Sequence, residues 1–408
     1  MIKTFDVIVG GGGLIGCIVS LALSRSGLSV ALIEGPHRTK KSGKKFDGRA
    51  YALALASKRM LCALDLWDAV KSNAEAIVNI KVSDGAIGNG ASPLYMHFDH
   101  QELEDGPMGY MIEDRFLRIE LSKNLKSNAL IDKFGSKSIV DQKTHKGFIE
   151  VKLDSGQVLK AKMLIGSDGK NSAIGKRAGL RRLTHNYKQI SLVAAVSHQY
   201  QHFGEAHQFF VPAGPIAILP LPKKRSSVVW TEDEITAKKV MELNDNKFLD
   251  ELKDRFGDFR GNISLNGDRF SYPLSLSISE KLTSDRVVLI GDAAHSLHPI
   301  AGQGLNLGFR DIASLAEVIT VAARRGEDIG SLDVLKRYSS WRNLDRISIT
   351  AVTHGVNKLF SNDNSVLRLS RDLGMAAINL LPSLKRSLIK EASGVSGDMP
   401  LLMQGLRL

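Results

Sequence analysis

The chain has only two cysteines, Cys17 and Cys62, in 408 residues. Two such thiols supply neither a disulfide framework nor the spacing of a zinc site, and their scarcity fits a reducing compartment. Both lie in segments of apolar periodicity and read as packing residues rather than nucleophiles. Long hydrophobic runs are also missing. Nothing approaches the roughly twenty residues that a bilayer-spanning helix needs. Glycines interrupt the apolar run that follows Lys3, so it is not a secretory signal. The chain has no internal repeat, low-complexity tract or long linker, which points to two interleaved domains rather than domains strung in series. Acidic residues are outnumbered by basic ones, giving a net charge of +12. An excess of that sign favours anionic surfaces. No arginine-rich helix or aromatic-studded basic strip accompanies it, so nucleic acid is not expected as a partner. The densest basic cluster, Lys40, Lys41, Lys44 and Lys45, reads as a solvated loop.

What is present begins at Asp6, with DVIVGGGGLIGCIVSLALSRSGLSVALIE. Val7, Ile8 and Val9 form the apolar run of a buried parallel strand. From Leu14 the spacing turns helical through Ile18, Leu21 and Leu23, until Gly27 stops it. A second strand, Val30 to Ile33, ends in an acid. Between the first strand and the helix stand Gly11, Gly13 and Gly16. The tight turn, the approach of backbone to a pyrophosphate and the packing of helix on sheet each exclude a side chain at one of these positions. Amides at the helix start hold phosphate. Glu34 lies about twenty residues on, where a carboxylate accepts hydrogen bonds from an adenosine ribose and disfavours a 2'-phosphate. This stretch predicts a site for ADP-ribose or its equivalent and leaves NAD and FAD open.

Further along, DGRAYALALASKRMLCALDL takes on helical periodicity after Leu53, and DRFLRIELSKNL predicts a helix over 114–125. Short alternating runs, among them GFIEVKL, GPIAILPLP and SSVVWTED, read as antiparallel strands of a second sheet with proline-marked turns. His198, His202 and His207 lie close together without a fitting acid or cysteine, and read as strand-surface residues rather than metal ligands. No metal is expected.

Two later segments return to the order strand, glycine loop, helix. Met163 to Ile165 leads into Gly166, Ser167, Asp168 and Gly169. Val287 to Ile290 leads into Gly291, Asp292, Ala293, Ala294 and His295, then Pro299, Gly302, Gly304 and Asn306. Asp292 at a strand end suits a polyol such as ribitol, and the glycines of AGQGLN let amides approach a flat ring. Those amides can stabilise negative charge on a reduced ring system.

With all three loops in order, the sequence resembles the group A flavoprotein aromatic monooxygenases, built like para-hydroxybenzoate hydroxylase. DGRAYALALASKRML and LHPIAGQGLNLGFRDIASLAEVI look most like the ubiquinone-biosynthesis hydroxylases within that group. The likeness runs from residue 5 to about residue 390.

The resemblance implies an α/β (α+β) fold: a Rossmann-like FAD-binding domain interleaved with a mostly antiparallel substrate-binding β-sheet domain, and a helical C-terminus. The boundaries expected are 1–75, 105–182 and 284–355 for the FAD domain, 76–104 and 183–283 for the substrate domain, and 356–408 for the C-terminal region. It implies FAD held by the residues already named, with Arg49 and Arg115 along its phosphate and ribose side, Asp168 near both FAD and the nicotinamide nucleotide, and Asp292 on the ribitol. Gly48 stands where a small residue usually precedes the arginine, which bears on the geometry of that loop.

With no second dinucleotide fingerprint, NAD(P)H is expected as a transient co-substrate. It reduces FAD, and dioxygen then supplies one atom to an electron-rich ring. The protein's task would be to orient a phenol and exclude water. There is no Ser-His-Asp order and no two-cysteine redox pair. No general base stands out; His298, beside Pro299, is a weak candidate, with a structural histidine as the alternative.

The substrate implied is a polyprenylated phenol such as 2-polyprenyl-6-methoxyphenol. A small soluble phenol, or a non-catalytic role as a flavoprotein subunit of a quinone-synthesis complex, stay open, as does a homo-oligomer. Val366, Leu369, Leu373, Ala376 and Leu380, then Leu384 and Leu388 beside Lys385, Arg386 and Lys390, predict a C-terminal helix. It either packs on the FAD domain or touches an anionic membrane or partner. The location expected is cytoplasmic, with peripheral contact to the inner face of the membrane. The absence of a Trp-x-Trp-x-Ile-Pro segment argues against a halogenase.

Overall fold

The computed structural model describes residues 2–36, 46–86, 90–102, 106–211, 213–297, 302–343 and 381–408. The remaining positions, among them His298, Pro299 and the predicted helix over 366–380, lie outside the described residues.

The apolar runs of the glycine-loop segments become the centre of the first sheet. Its strands Val287–Leu289, Val158–Gly166, Lys3–Gly10, Val30–Glu34 and Ile131–Gly135 lie side by side and parallel. Helices cover such a sheet, so its strands read as continuous apolar stretches; Val7, Ile8, Val9, Leu164 and Ile165 are fully buried. The fingerprint helix Leu14–Arg25 and the long helix Gln303–Arg324 pack on it and on each other. The helix expected over 114–125 spans Asp114–Ser127.

GFIEVKL does form an antiparallel strand, Phe148–Leu153, but it pairs with Val158–Gly166 and so extends the first sheet. Its alternation reports one solvated face, and a solvated face occurs at the edge of either sheet. In DGRAYALALASKRML, Ala50–Ala54 is a strand and the helix begins at Leu55. That strand joins Gly109–Glu113 and Ala74–Ile77 in a small antiparallel sheet between the two larger ones.

The second sheet runs, in order, His295–Ser296, Phe270–Ser279, Arg182–His198, Arg225–Asp233, Gly214–Leu221, Glu205–Val211, Asn79–Ala86 and Gly90–Asp99, with Ile263–Leu265 on one side. It is antiparallel apart from the pairing of Glu205–Val211 with Asn79–Ala86. Residues from either side of the fingerprint domain's own segments therefore complete one sheet, which is the interleaving expected. Its core, around Trp230, Phe248 and Leu252, lies beneath helices Glu234–Glu242 and Asp245–Phe256. A third cluster, with Ile77, Met111, Val193 and Leu221, closes under Ile389 of helix Pro382–Ala392. Among the described residues no helix is long and apolar enough to cross a membrane.

The three histidines depart from expectation. His198, His202 and His207 are buried. His198 Nδ1 lies 2.7 Å from the Tyr200 carbonyl, His202 Nε2 lies 2.9 Å from that of Leu221, and His207 Nε2 lies 2.5 Å from Glu205 Oε1. Each is engaged in holding strand ends and turns, which is why polar side chains tolerate the interior there. No cluster fit for a metal occurs among the described residues.

Candidate flavin site

Three adjacent parallel strands end at the same edge, and each ending carries one of the motifs. Gly10 lies opposite Gly166 in register, and Gly166 opposite Leu289. The loops are tied together beyond the strands. Ser167 donates its amide to the Gly10 carbonyl at 2.8 Å and its hydroxyl reaches the carbonyls of Gly10 and Gly11 at 3.1 Å. Ile290 donates its amide to Gly166 at 3.0 Å. A crevice at the carboxyl ends of the strands is where an open α/β sheet binds its ligand.

The fingerprint glycines divide into two kinds. A Cβ at Gly11 would lie 2.3 Å from the Ser167 carbonyl oxygen, and one at Gly16 would lie 1.8 Å from the Gly11 carbonyl oxygen. These two are required by the protein itself. At Gly13 a Cβ would meet no atom of the described residues within 4 Å. Gly13 caps the N-terminus of Leu14–Arg25, and no side chain caps that end. The first amides of the helix thus have no side-chain cap among the described residues, the arrangement that holds a pyrophosphate. Gly304 is open in the same way, while Gly302 takes a left-handed φ of 63° to start the long helix without a side-chain cap. Two helix starts without a side-chain cap among the described residues fit the diphosphate and ring of a dinucleotide.

Glu34 ends its strand with its carboxylate 2.6 Å from Lys133 Nζ. Lys133, on the neighbouring strand, carries no motif and was not legible. Asp292 is exposed, yet the surrounding protein raises its carboxyl above the ordinary range, with His295, Arg182 and Lys170 acting in the opposite direction.

Other predicted residues have internal tasks. Asp168 accepts from the Ser172 hydroxyl at 2.5 Å and the Ile174 amide at 3.1 Å, so it holds the start of helix Ala173–Arg177. Asn306 accepts from the Ala54 amide at 2.9 Å and the Ser57 hydroxyl at 2.8 Å and donates to the Ala52 carbonyl at 2.8 Å. It stitches the long helix to the strand that follows Arg49. Arg49 leaves the loop beside Asp47, and its carbonyl accepts the Asp114 amide at 3.0 Å. Gly48 has φ 82°, and a Cβ there would lie 2.4 Å from the Phe270 ring, which accounts for glycine at that position. Arg115 Nη2 lies 2.9 Å from Glu113, a buried acid that Arg225 of the second sheet also contacts at 2.9 Å. His298 and Pro299 lie outside the described residues.

The sheet edge has the geometry of a dinucleotide-binding site, and the comparisons say which class of protein carries it. The FAD binding domain family matches residues 4–346. The ubiquinone hydroxylase UbiL of Rhodospirillum rubrum is 37% identical over 409 residues, covering 100% of this chain and 94% of that protein. The mitochondrial ubiquinone biosynthesis monooxygenase COQ6 of Homo sapiens is 30% identical, covering 95% of this chain and 92% of its own. The 3-demethoxyubiquinol 3-hydroxylase of Escherichia coli is 29% identical, covering 96% and 98%. Among solved structures, p-nitrophenol 4-monooxygenase PnpA from Pseudomonas putida superposes with a TM-score of 0.80 at 19% identity, covering 97% of this chain and 99% of that one. At that identity the likeness carries the fold alone. The chain belongs to the ubiquinone-biosynthesis family of FAD-dependent monooxygenases.

Proposed function

We propose that this protein hydroxylates the aromatic ring of a polyprenylated phenol in ubiquinone biosynthesis, with NAD(P)H as donor and dioxygen as oxidant. The observation that carries the reading is the convergence of the Gly11–Gly16, Asp168 and Asp292 loops on one sheet edge, in a chain whose full-length relatives bear ubiquinone-pathway names.

FAD, when bound, supplies the redox chemistry. The uncapped helix starts at Gly13 and Gly302 would receive its diphosphate and ring, Glu34 its adenosine ribose, Asp292 its ribitol and Arg49 its phosphate side. The second sheet, joined to the cofactor loops through His295–Ser296, forms the other wall and is suited to orient the phenol and exclude water.

A substrate with a polyprenyl tail resides in lipid, which suits peripheral contact. In helix Pro382–Ala392, Ile389 packs inward with Met111, Val193 and Leu221 of the small and second sheets, and Lys385 pairs with Glu102. Leu384, Leu388, Arg386 and Lys390 remain on its exposed side, an apolar and basic combination that fits an anionic bilayer.

The test is a mass spectrum of quinone-pathway lipids from cells lacking the gene, beside cells complemented with wild type or Asp292→Ala. The reading expects a prenylated phenol short of one oxygen to accumulate, and only wild type to clear it. Unchanged ubiquinone in cells with no compensating isoenzyme would refute the lipid substrate.

A further inference from the structure

The turn Gly291–Ala293 that presents Asp292 closes on a single backbone bond of its own, from the Ala294 amide to the Gly291 carbonyl at 2.8 Å. Gly291 has φ 58°, and the turn has no side-chain cap of its own. Two side chains from outside grip it. From the long helix, fully buried Asp311 accepts the Gly291 amide through Oδ2 at 2.9 Å. The same carboxylate lies 3.1 Å from His295 Nε2 and 2.8 Å from Arg342 Nε. Burial alone would raise the Asp311 carboxyl, but His295 and Arg342 outweigh it and keep the group ionised. From the second sheet, Arg182 donates to the Asp292 carbonyl at 3.2 Å and to that of Ala293, and reaches the Ser277 hydroxyl at 2.9 Å.

We infer that Asp311 and Arg182 are positioning residues for the flavin: acting from opposite sides, they fix the Gly291–Ala293 turn so that Asp292 meets the cofactor. Charge-assisted hydrogen bonds suit this task because they are directional and strong where water is excluded. Arg182 belongs to the substrate sheet and Asp311 to the FAD domain, so the turn is set by both. The inference rests on the cofactor site and is independent of which phenol is the substrate.

The experiment is a double-mutant cycle on FAD affinity, read by quenching of flavin fluorescence on titrating apoprotein. Variants are Arg182→Met, Asp311→Asn and Asp292→Ala, singly and with each of the first two combined with the third. If Arg182 and Asp311 act through Asp292, each single change weakens FAD binding by about tenfold or more, yet adds no more than about twofold once Asp292 is alanine. A purely structural role predicts full additivity, which would overturn the inference. So would unchanged FAD affinity in Arg182→Met. Should Asp311→Asn fail to fold, the cycle on half-buried Arg182 decides by itself.

Discussion

Gly13 and Gly16 belong to one motif, but the structure gives them different jobs, and a pair of substitutions should separate them. A Cβ at Gly13 meets no atom of the described residues within 4 Å, from extended backbone with φ −71° and ψ 178° that any residue adopts. Replacing Gly13 with valine therefore costs the apoprotein little. Loss of glycine at a helix N-cap is worth at most about 1 kcal/mol, and restricting the unfolded chain returns about 0.4–1 kcal/mol. The apoprotein melting temperature should stay within roughly 3 °C of wild type. The space the valine fills is that of the pyrophosphate, and FAD affinity should fall about a hundredfold or more, equivalent to about 2.7 kcal/mol. Gly16→Ala is the converse. Its Cβ would lie 1.8 Å from a backbone oxygen that is itself fixed by the next loop. Overpacking of this kind costs about 1–3 kcal/mol or more, and the apoprotein should melt several degrees lower. Scanning calorimetry of the apoproteins and fluorescence titration with FAD measure the two quantities independently. Wild-type FAD affinity in Gly13→Val, or an apoprotein destabilised as much as Gly16→Ala, would refute the placement of the diphosphate at this helix start.

Asn306→Ala leaves two donors and two acceptors without their partner and should destabilise by about 2–4 kcal/mol, with FAD affinity reduced because the strand after Arg49 loosens; urea unfolding measures the first and flavin titration the second. Phe203 is 81% exposed at a left-handed φ of 50°. Phe203→Gly relieves a strain of about 1–2 kcal/mol against about 0.5–1 kcal/mol of added chain entropy, so the melting temperature should rise slightly; a fall would show that the ring makes a stabilising contact. Glu205, hydrogen-bonded to His207 and Lys81, has its carboxyl held down at about 2 against an ordinary 4.5. A depressed acid stabilises the fold above its unfolded value and loses that contribution as pH falls from about 4.5 toward 2. Glu205→Gln should flatten urea midpoints across that window and lower them at neutral pH, and an unchanged slope would remove Glu205 from the acid limb.

The fold was legible where one residue type has one physical use. Four glycines in a row after an apolar strand serve little purpose except a turn that backbone and phosphate must approach closely. The three strand endings fell at one edge because the strands run parallel and pair in register at their ends. What escaped the sequence were partners chosen by three-dimensional proximity. Asp311 lies in a helix whose periodicity declares only that a polar residue sits on a buried face, and nothing in the chain says that Gly291, twenty residues earlier, supplies its amide. Arg182 opens a strand more than a hundred residues from the turn it holds. The histidines misled for the same reason: the alternation near His198, His202 and His207 gives the strand, but burial depends on which other strands close over it. Asp168 and Asn306 show the remaining gap. Their motif positions identify the cofactor loops, while their hydrogen bonds go to the protein itself. A residue diagnostic of a ligand site thus also has a task inside the protein, because building the loop constrains side chains as strictly as binding does.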